Sequence, residues 1–476
     1  MAFPDRCDTT HGAANRSVTD DHFPSHAQGP RRHLAVAQAT LLALGMIMTT
    51  DTLKTAPTVA LCVGGWRFYG LWVLGGLISM IGAMCYVEMA TAFPDPGGDY
   101  AFLRRAYGRD LGLLFAWSRF SIMHTGWIAL MAFMFADYAA ALVPLSHIGR
   151  VLVAEAAVAA LTGVNLMHVK RGFLAQAALV VLVALGFAGV VAAAVKLAVT
   201  GQLPLAAAPA VAAPSLGKVS VALIYVFLAY GGWSDAATLS AEVRGGRRGM
   251  QVAILGSLTI LMAIYLALNG AMMVGLGPGG LAHSTAPAAD LMGRAFGGTG
   301  SALIVAVVGV SAVASINSTL IVGARTTYAA ARDTPRLAAL GRWEEGRGVP
   351  ARAVLAEGGF AMILIAAGGF AASGFSAMVE YMTPVYWFFI TLSMGALTVL
   401  RRRHPEAVRH ARTPFYPLFP LTFMAIAIYM FAASLLDLGL GALFGAGVMA
   451  LGVGVVAWLR GGARTPADLT PSPRPY

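Results

Sequence analysis

The stretch FLAYGGWSDAATLSAEVRGGRR, residues 227–248, decides how this chain folds. It begins as an apolar segment of the kind that spans a bilayer, and YGGWSD at 230–235 interrupts it halfway. In hydrocarbon every backbone N–H and C=O needs a partner within its own helix, so a break is tolerated only where it is buried in protein or lines a cavity. Broken helices of this kind form the substrate sites of secondary transporters. The stretch therefore predicts a binding site at mid-membrane.

The composition of the whole chain is that of an integral membrane protein. Of its 476 residues 58% are hydrophobic and 12% are charged, with a mean hydropathy of +0.71, whereas soluble domains carry about 25% charged residues. Apolar runs of spanning length recur along the chain. The predicted spans are 36–61, 69–92, 111–143, 150–168, 173–199, 217–242, 250–275, 300–331, 353–372, 376–400, 416–436 and 438–459. We expect an all-α fold of about twelve transmembrane helices.

The net charge of +11 indicates the orientation of the chain in the membrane rather than a nucleic-acid partner. If the N-terminus is inside, 26 of the 33 Lys and Arg residues lie in the two tails and the loops on that side. Two more are inside spans, and the opposite side holds Arg67, Arg150, Lys196, Lys218 and Arg294. Positive loops face the cytoplasm, so both termini are predicted to be cytoplasmic. The 29 Arg against 4 Lys, beside abundant Ala and Gly, favour a bacterial source and hence the inner membrane.

A second broken helix is predicted in span 1. Its centre carries Asp51, Lys54 and Pro57. Proline removes a backbone hydrogen bond, and unpaired charges at mid-membrane each cost several kcal/mol. A break at about 48–52, opening onto a polar cavity, would accommodate all three.

The positions of the breaks predict an inverted repeat. They fall in the first and sixth spans, and blocks of five spans place their copies in opposite orientation. We therefore expect a first five-helix repeat over 34–200, an inverted second repeat over 201–400, and two additional helices over 401–460. Residues 1–33 and 461–476 are predicted to be disordered cytoplasmic tails.

Three motifs resemble those of the amino acid–polyamine–organocation permeases, and within them the bacterial relatives of L-type amino acid transporters. They are YVEMATAFPDPGGDYAFLRRAYG at 86–108, FLAYGGWSDAATLSAEVRGGRR at 227–248 and ASINSTLIVGARTTYAAARD at 314–333. Their order and spacing match across roughly residues 34–460. The resemblance implies a five-plus-five inverted-repeat fold that transports an amino acid or a related amine.

The resemblance also implies how the substrate is held. Backbone amides at Thr49, Thr50 and Asp51 would receive its carboxylate, because a half-helix N-terminus attracts anions. Trp233 would pack over it. Carbonyls near four residues would receive the amine: Met46, Ile47, Phe227 and Tyr230. The break residues Gly231, Gly232 and Ser234 complete the candidate site.

The chain departs from the family pattern at the first break. Relatives usually carry a Gly-Ser-Gly or Gly-Ala-Gly stretch there, whereas this chain has Thr49, Thr50 and Asp51. Glycine lets backbone approach a ligand closely, so this site is more crowded. Three roles for Asp51 follow: it could face the substrate amine, pair with Lys54 three residues along the helix, or carry a proton.

Residues for coupling and gating are also expected. Some proton-coupled relatives have a Lys in span 5, but the matching position here is Val183, so Asp51, Lys54 and His124 are the candidates for proton coupling. For His124 the favoured interpretation is a hydrogen-bonded structural histidine. Asn317 lines a vestigial sodium site or joins two helices.

A charged network is expected at the turn between spans 2 and 3. Its predicted members are Glu88, Asp99, Arg104, Arg105, Glu242 and Arg325.

Other classes of function fit the sequence less well. The three cysteines, Cys7, Cys62 and Cys85, have no metal-ligand spacing, so we expect neither a metal nor a cofactor. No ATP-binding motif is present, which disfavours primary active transport. We expect a secondary active transporter rather than an enzyme, with the coupling ion and exchange versus net uptake left open, and a transport-dead sensor of the same fold as the alternative.

Overall fold

The structure is a computed structural model, and it describes Val36, Thr40, Leu44 and the ranges 48–93, 98–166, 173–204, 213–234, 246–332, 334–344, 349–409 and 411–460. The predicted disordered tails, 1–33 and 461–476, lie outside the described residues. The division into two repeats stays a prediction.

The described chain is almost entirely helical. The α-helices are α1 Thr52–Val63, α2 Gly65–Ala92, α3 Asp99–Tyr107, α4 Arg109–Ser118, α5 Thr125–Ala139, α6 His147–Leu166, α7 Phe173–Val199, α8 Leu216–Ala229, α9 Gly246–His283, α10 Pro287–Arg332, α11 Ala351–Gly368, α12 Gly374–Arg403, α13 Leu418–Leu436 and α14 Leu440–Arg460. A π-helical turn, Arg119–His124, joins α4 to α5, and a 3-10 turn, Pro335–Leu337, follows α10. The predicted all-α class is confirmed.

Ten spans in the described part of the chain are long and apolar enough to cross a bilayer. They coincide with the predicted spans other than the first and the sixth, where α1 and α8 are shorter apolar helices. Length and apolar content were sufficient to predict these spans because a helix crossing hydrocarbon needs about 20 apolar residues. The chain is therefore an integral membrane protein.

Both predicted breaks are present in the backbone. Residues 48 and 49 are not helical, and α1 begins only at Thr52, with Pro57 inside it. Helix α8 ends at Ala229, and Gly232 has a φ of 86°. This left-handed conformation costs a residue with a side chain roughly 1–2 kcal/mol, which explains glycine at that position.

The half-helices α1 and α8 pack against each other and run antiparallel. Cys62, at the end of α1, lies near Lys218, at the start of α8, and Thr58 is within hydrogen-bonding reach of Tyr225. Continuing this register down both helices brings the N-terminus of α1 beside the C-terminus of α8. The two breaks are thus neighbours in the fold.

Helical segments at two places in the chain were not predicted from the sequence. Helix α3 is a short amphipathic helix between spans 2 and 3. Between spans 7 and 8 the helices continue past Gly277 and Gly297, whose φ angles of 73° and 69° bend them. Hydropathy alone misses such segments because they need not be long or apolar.

Candidate functional site

The first break is a buried polar segment. The Thr49 hydroxyl donates a hydrogen bond to Asp51 Oδ1, and the Thr50 hydroxyl donates to Ser311 Oγ of α10 over 3.2 Å. The Asp51 side chain is 0% exposed, and its Oδ2 has no hydrogen-bond partner among the described residues. The break therefore holds a buried carboxylate oxygen that can accept a hydrogen bond.

The second break is enclosed by aromatic rings. Phe227 packs edge-on against Trp387 of α12 at a centroid distance of 5.0 Å. Trp233 packs edge-on against Tyr86 of α2 at 5.0 Å and against Phe423 of α13 at 5.9 Å. Trp233 thus anchors the chain after the break to α2 and α13, and its role over the substrate stays a prediction.

Tyr265 of α9 connects the two breaks. Its hydroxyl is within hydrogen-bonding reach of Thr49, and its ring lies near Asp51. The same ring packs on Tyr230 at a centroid distance of 5.4 Å and on Trp72 of α2 at 5.9 Å. The breaks therefore share one aromatic wall.

Lys54 does not pair with Asp51, so that prediction is wrong. The Lys54 Nζ lies 2.7 Å from Asp137 Oδ2 of α5 and donates to the Thr285 carbonyl oxygen over 2.5 Å. The Asp51 carboxylate turns back toward Thr49 and the start of α1, while the longer Lys54 side chain extends away from it. The three-residue spacing is compatible with a pair between Asp51 and Lys54, but in the fold Lys54 binds Asp137 of α5 instead.

Asp137 is the centre of a small ionic cluster, here called the Lys54 network: Lys54, Asp137, Arg150 and Thr285. The Arg150 Nη1 lies 3.3 Å from Asp137 Oδ1. The Lys54 Nζ also lies 6.0 Å from the centroid of the Phe375 ring at the start of α12. The cluster joins α1, α5, α6 and the segment between α9 and α10.

His124 lies in a second buried cluster. Its Nε2 accepts a hydrogen bond from Arg119 Nε over 3.0 Å, and its Nδ1 lies 4.0 Å from Glu357 Oε1 of α11. Glu357 Oε1 also accepts from the Thr327 hydroxyl over 2.9 Å. Gly323 fits against both groups: a Cβ there would meet Glu357 Oε1 at 2.8 Å and His124 Nδ1 at 2.9 Å. His124 is thus hydrogen-bonded, and its role in coupling stays a prediction.

Glu88 anchors a third cluster, here called the Glu88 network: Glu88, Arg401, Arg409 and Thr413. Arg401 donates two hydrogen bonds to the Glu88 carboxylate, over 2.7 and 2.5 Å, and the Thr413 N–H and hydroxyl donate over 2.6 and 2.7 Å. The Arg409 Nε lies 3.7 Å from it. These partners of Glu88 come from α12 and the segment before α13, and none of them was a member of the network predicted from the sequence.

The remaining predicted residues are spread through the fold. Asn317 accepts a hydrogen bond from Asn165 Nδ2 of α6 over 2.8 Å. Arg325 is exposed, and Gly231 and Ser234 are half-buried. Val183 is buried in α7. Met46, Ile47 and Glu242 lie outside the described residues.

Sequence reasoning missed several residues around the site. Asp137 and Glu357 are acidic residues within apolar spans, and that rarity alone marks them as candidates for function. Tyr265 and Trp72 gave no such signal, because an aromatic residue in an apolar span is ordinary.

Known proteins similar to this chain are amino acid permeases and transporters. A family model described as "Amino acid permease" matches residues 34–458. The b(0,+)-type amino acid transporter 1 of Mus musculus is 25% identical over 376 residues, 77% of this chain and 75% of that protein. The Asc-type amino acid transporter 1 of Homo sapiens is 25% identical over 402 residues, 82% and 73% of the two chains.

A third relative, the large neutral amino acids transporter small subunit 2 of Mus musculus, is 23% identical over 375 residues, 77% of this chain and 69% of that protein. These matches confirm the resemblance inferred from the three motifs. The family match covers most of the chain and includes both broken helices. The chain therefore belongs to the amino acid permease family.

Proposed function

We propose that this protein is a secondary active transporter that moves an amino acid or a related amine by alternating access, with the substrate bound between the two breaks. The observation that carries the proposal is the antiparallel packing of α1 on α8, which makes the breaks neighbours. The three relatives are named as amino acid transporters, and this supports the substrate class.

The paired half-helix ends have complementary polarity. The N-terminus of α1 carries free N–H groups and a partial positive charge, and the C-terminus of α8 carries free carbonyl groups and a partial negative charge. Transporters with discontinuous helices bind charged substrate groups at such ends. Phe227, Tyr230 and Tyr265 supply apolar surface beside them.

The Lys54 network supports alternating access. It ties α1 to α5, to α6 and to the segment containing Thr285, and the predicted orientation puts it on the external side. Such a cluster closes the external route to the breaks, so transport requires its ion pairs to separate and reform in each cycle.

The orientation and coupling belong to the same proposal. The bias of Lys and Arg supports cytoplasmic termini, and the composition supports a bacterial inner membrane. The same site could serve either net uptake of a substrate or the exchange of one substrate for another. Coupling to protons or sodium would use Asp51, His124 or the region near Asn317.

The test is radiolabelled uptake by the purified protein in proteoliposomes. A panel of amino acids and amines would be presented with no gradient, with an imposed proton gradient, with a sodium gradient, and with unlabelled substrate inside the vesicles. We expect saturable uptake of at least one compound above empty liposomes. Stimulation only by internal substrate would identify an exchanger, and no uptake of any compound under all four conditions would contradict the proposal.

A further inference from the structure

The carboxylate of Asp51 lies at the position where the start of α1 would attract an anion. It is beside the backbone N–H groups of Asp51, which precedes helix α1, and of Thr52, the first residue of that helix. It also accepts a hydrogen bond from the Thr49 hydroxyl. A helix N-terminus favours one negative charge within its first turn. In this chain a covalently attached carboxylate already supplies that charge.

The described surroundings of Asp51 supply no cation. The nearest lysine along the chain, Lys54, bonds Asp137 and the Thr285 carbonyl oxygen instead. The neighbours of the carboxylate are the hydroxyls of Thr49 and Tyr265. Asp51 Oδ2, fully buried, has no hydrogen-bond partner among the described residues. Buried charges are paired or coordinate an ion, and a cation that reaches Oδ2 would supply the partner that this carboxylate lacks among the described residues.

A substrate carboxylate at the same helix end would meet a like charge. Two negative charges about 5 Å apart, at the effective dielectric constant typical of proteins, repel enough to weaken binding on the order of a hundredfold. The binding of a substrate ammonium would be strengthened by a similar factor. The carbonyl groups at the end of α8 also favour a positive charge.

We propose that the substrate is a cationic amine with no carboxylate beside its amino group, and that its ammonium binds Asp51 Oδ2. This inference rests on the proposed transport function and names the substrate class of the same site. The aromatic wall formed by Trp72, Tyr230 and Tyr265 adjoins Asp51 and provides apolar surface for the body of the amine, and aromatic faces also attract ammonium groups.

The test compares amines with their parent amino acids. Binding to the purified full-length protein would be measured by calorimetry for phenethylamine against phenylalanine, isoamylamine against leucine, and cadaverine against lysine. Phenylalaninamide, which keeps the bulk of the carboxylate without its charge, would separate electrostatic from steric exclusion. We expect at least one amine to bind on the order of a hundredfold more tightly than its amino acid, and phenylalaninamide to bind more tightly than phenylalanine.

The variant Asp51→Asn keeps the size of the side chain and removes its charge. We expect the ratio between amine and amino acid to fall to within a few-fold of one. Wild-type protein that binds the amino acids as tightly as the amines would overturn the inference, and so would an unchanged ratio in Asp51→Asn. Amino acid binding that appears only in sodium buffer would overturn it too, because sodium would then be the cation at Asp51. If neither class is bound or taken up, the proposed function itself fails, which is a different result.

Discussion

Removing the charge of Asp137 should open the Lys54 network. The pair between Lys54 and Asp137 is mostly buried, with side chains 8% and 14% exposed and an Nζ to Oδ2 distance of 2.7 Å. In Asp137→Asn the Lys54 ammonium loses its anionic partner and keeps only neutral acceptors among its described contacts, the Asn amide oxygen and the Thr285 carbonyl oxygen. An uncompensated buried charge costs about 3–5 kcal/mol. The closed arrangement loses this energy, whereas an open one exposes Lys54 to water, so the closed-to-open ratio should fall by a factor on the order of a hundred or more.

The two partners should not be equivalent. In Lys54→Met the Asp137 carboxylate keeps Arg150 at 3.3 Å, so the loss should be nearer that of one charged hydrogen bond, roughly 1.5–3 kcal/mol. The double variant carries neither charge in the pair and should be less perturbed than Asp137→Asn alone, which is the signature of direct coupling.

Maleimide labelling of a cysteine at Phe375 measures this opening. Phe375 is 1% exposed and lies beneath the Lys54 ammonium, and the reporter would be placed in a background without Cys7, Cys62 and Cys85. We expect labelling to be fastest in Asp137→Asn, intermediate in the other two variants and slowest in the parent. The control is Lys218→Met, which removes an exposed lysine. Equal labelling rates in the parent and Asp137→Asn would refute the reasoning.

Two further predictions concern the other buried clusters. Gly323→Ala should lower the free energy of unfolding of the detergent-solubilised protein by about 1–3 kcal/mol, because the new Cβ would crowd Glu357 Oε1 and His124 Nδ1. Arg401→Met should destabilise by about 3 kcal/mol or more, since it removes the main counter-ion of the buried Glu88, and adding Glu88→Gln should recover part of that loss.

Matched controls separate these effects from general sensitivity. Gly359→Ala places a Cβ in open space on the same helix as Glu357, and Arg402→Met removes an exposed neighbour of Arg401. Both should change the stability by less than about 1 kcal/mol. If Gly323→Ala changed the free energy of unfolding no more than Gly359→Ala, the close fit at Gly323 would be wrong. If Arg401→Met matched Arg402→Met, the Glu88 network would contribute little to stability.

The sequence was most informative where local chemistry decides the structure. Apolar length set the spans, and glycine and polar residues at mid-span located both breaks, because Gly232 needs a positive φ and Asp51 needs a polar setting. These features depend on neighbours in the chain, so no tertiary information was needed.

The partners of the buried charges could not be read in this way. The spacing along the helix predicted that Lys54 pairs with Asp51, but Lys54 pairs with Asp137 on α5. Glu88 likewise binds Arg401 from α12. A single sequence contains no distances between helices. The side chains of lysine, arginine and glutamate are long enough to reach a partner on another helix, so spacing along one helix does not identify the partner.

The most direct test of the central claim, that the substrate binds at the breaks, compares two left-handed glycines. Gly232 lies in the second break with a φ of 86°, and Gly201 lies in an exposed turn after α7 with a φ of 67°. Alanine at either position strains the backbone by roughly 1–2 kcal/mol, so the folding cost is matched. At equal abundance in proteoliposomes we expect Gly232→Ala to lower initial uptake by about tenfold or more, and Gly201→Ala to retain it. Wild-type uptake by Gly232→Ala would contradict a substrate site at the breaks.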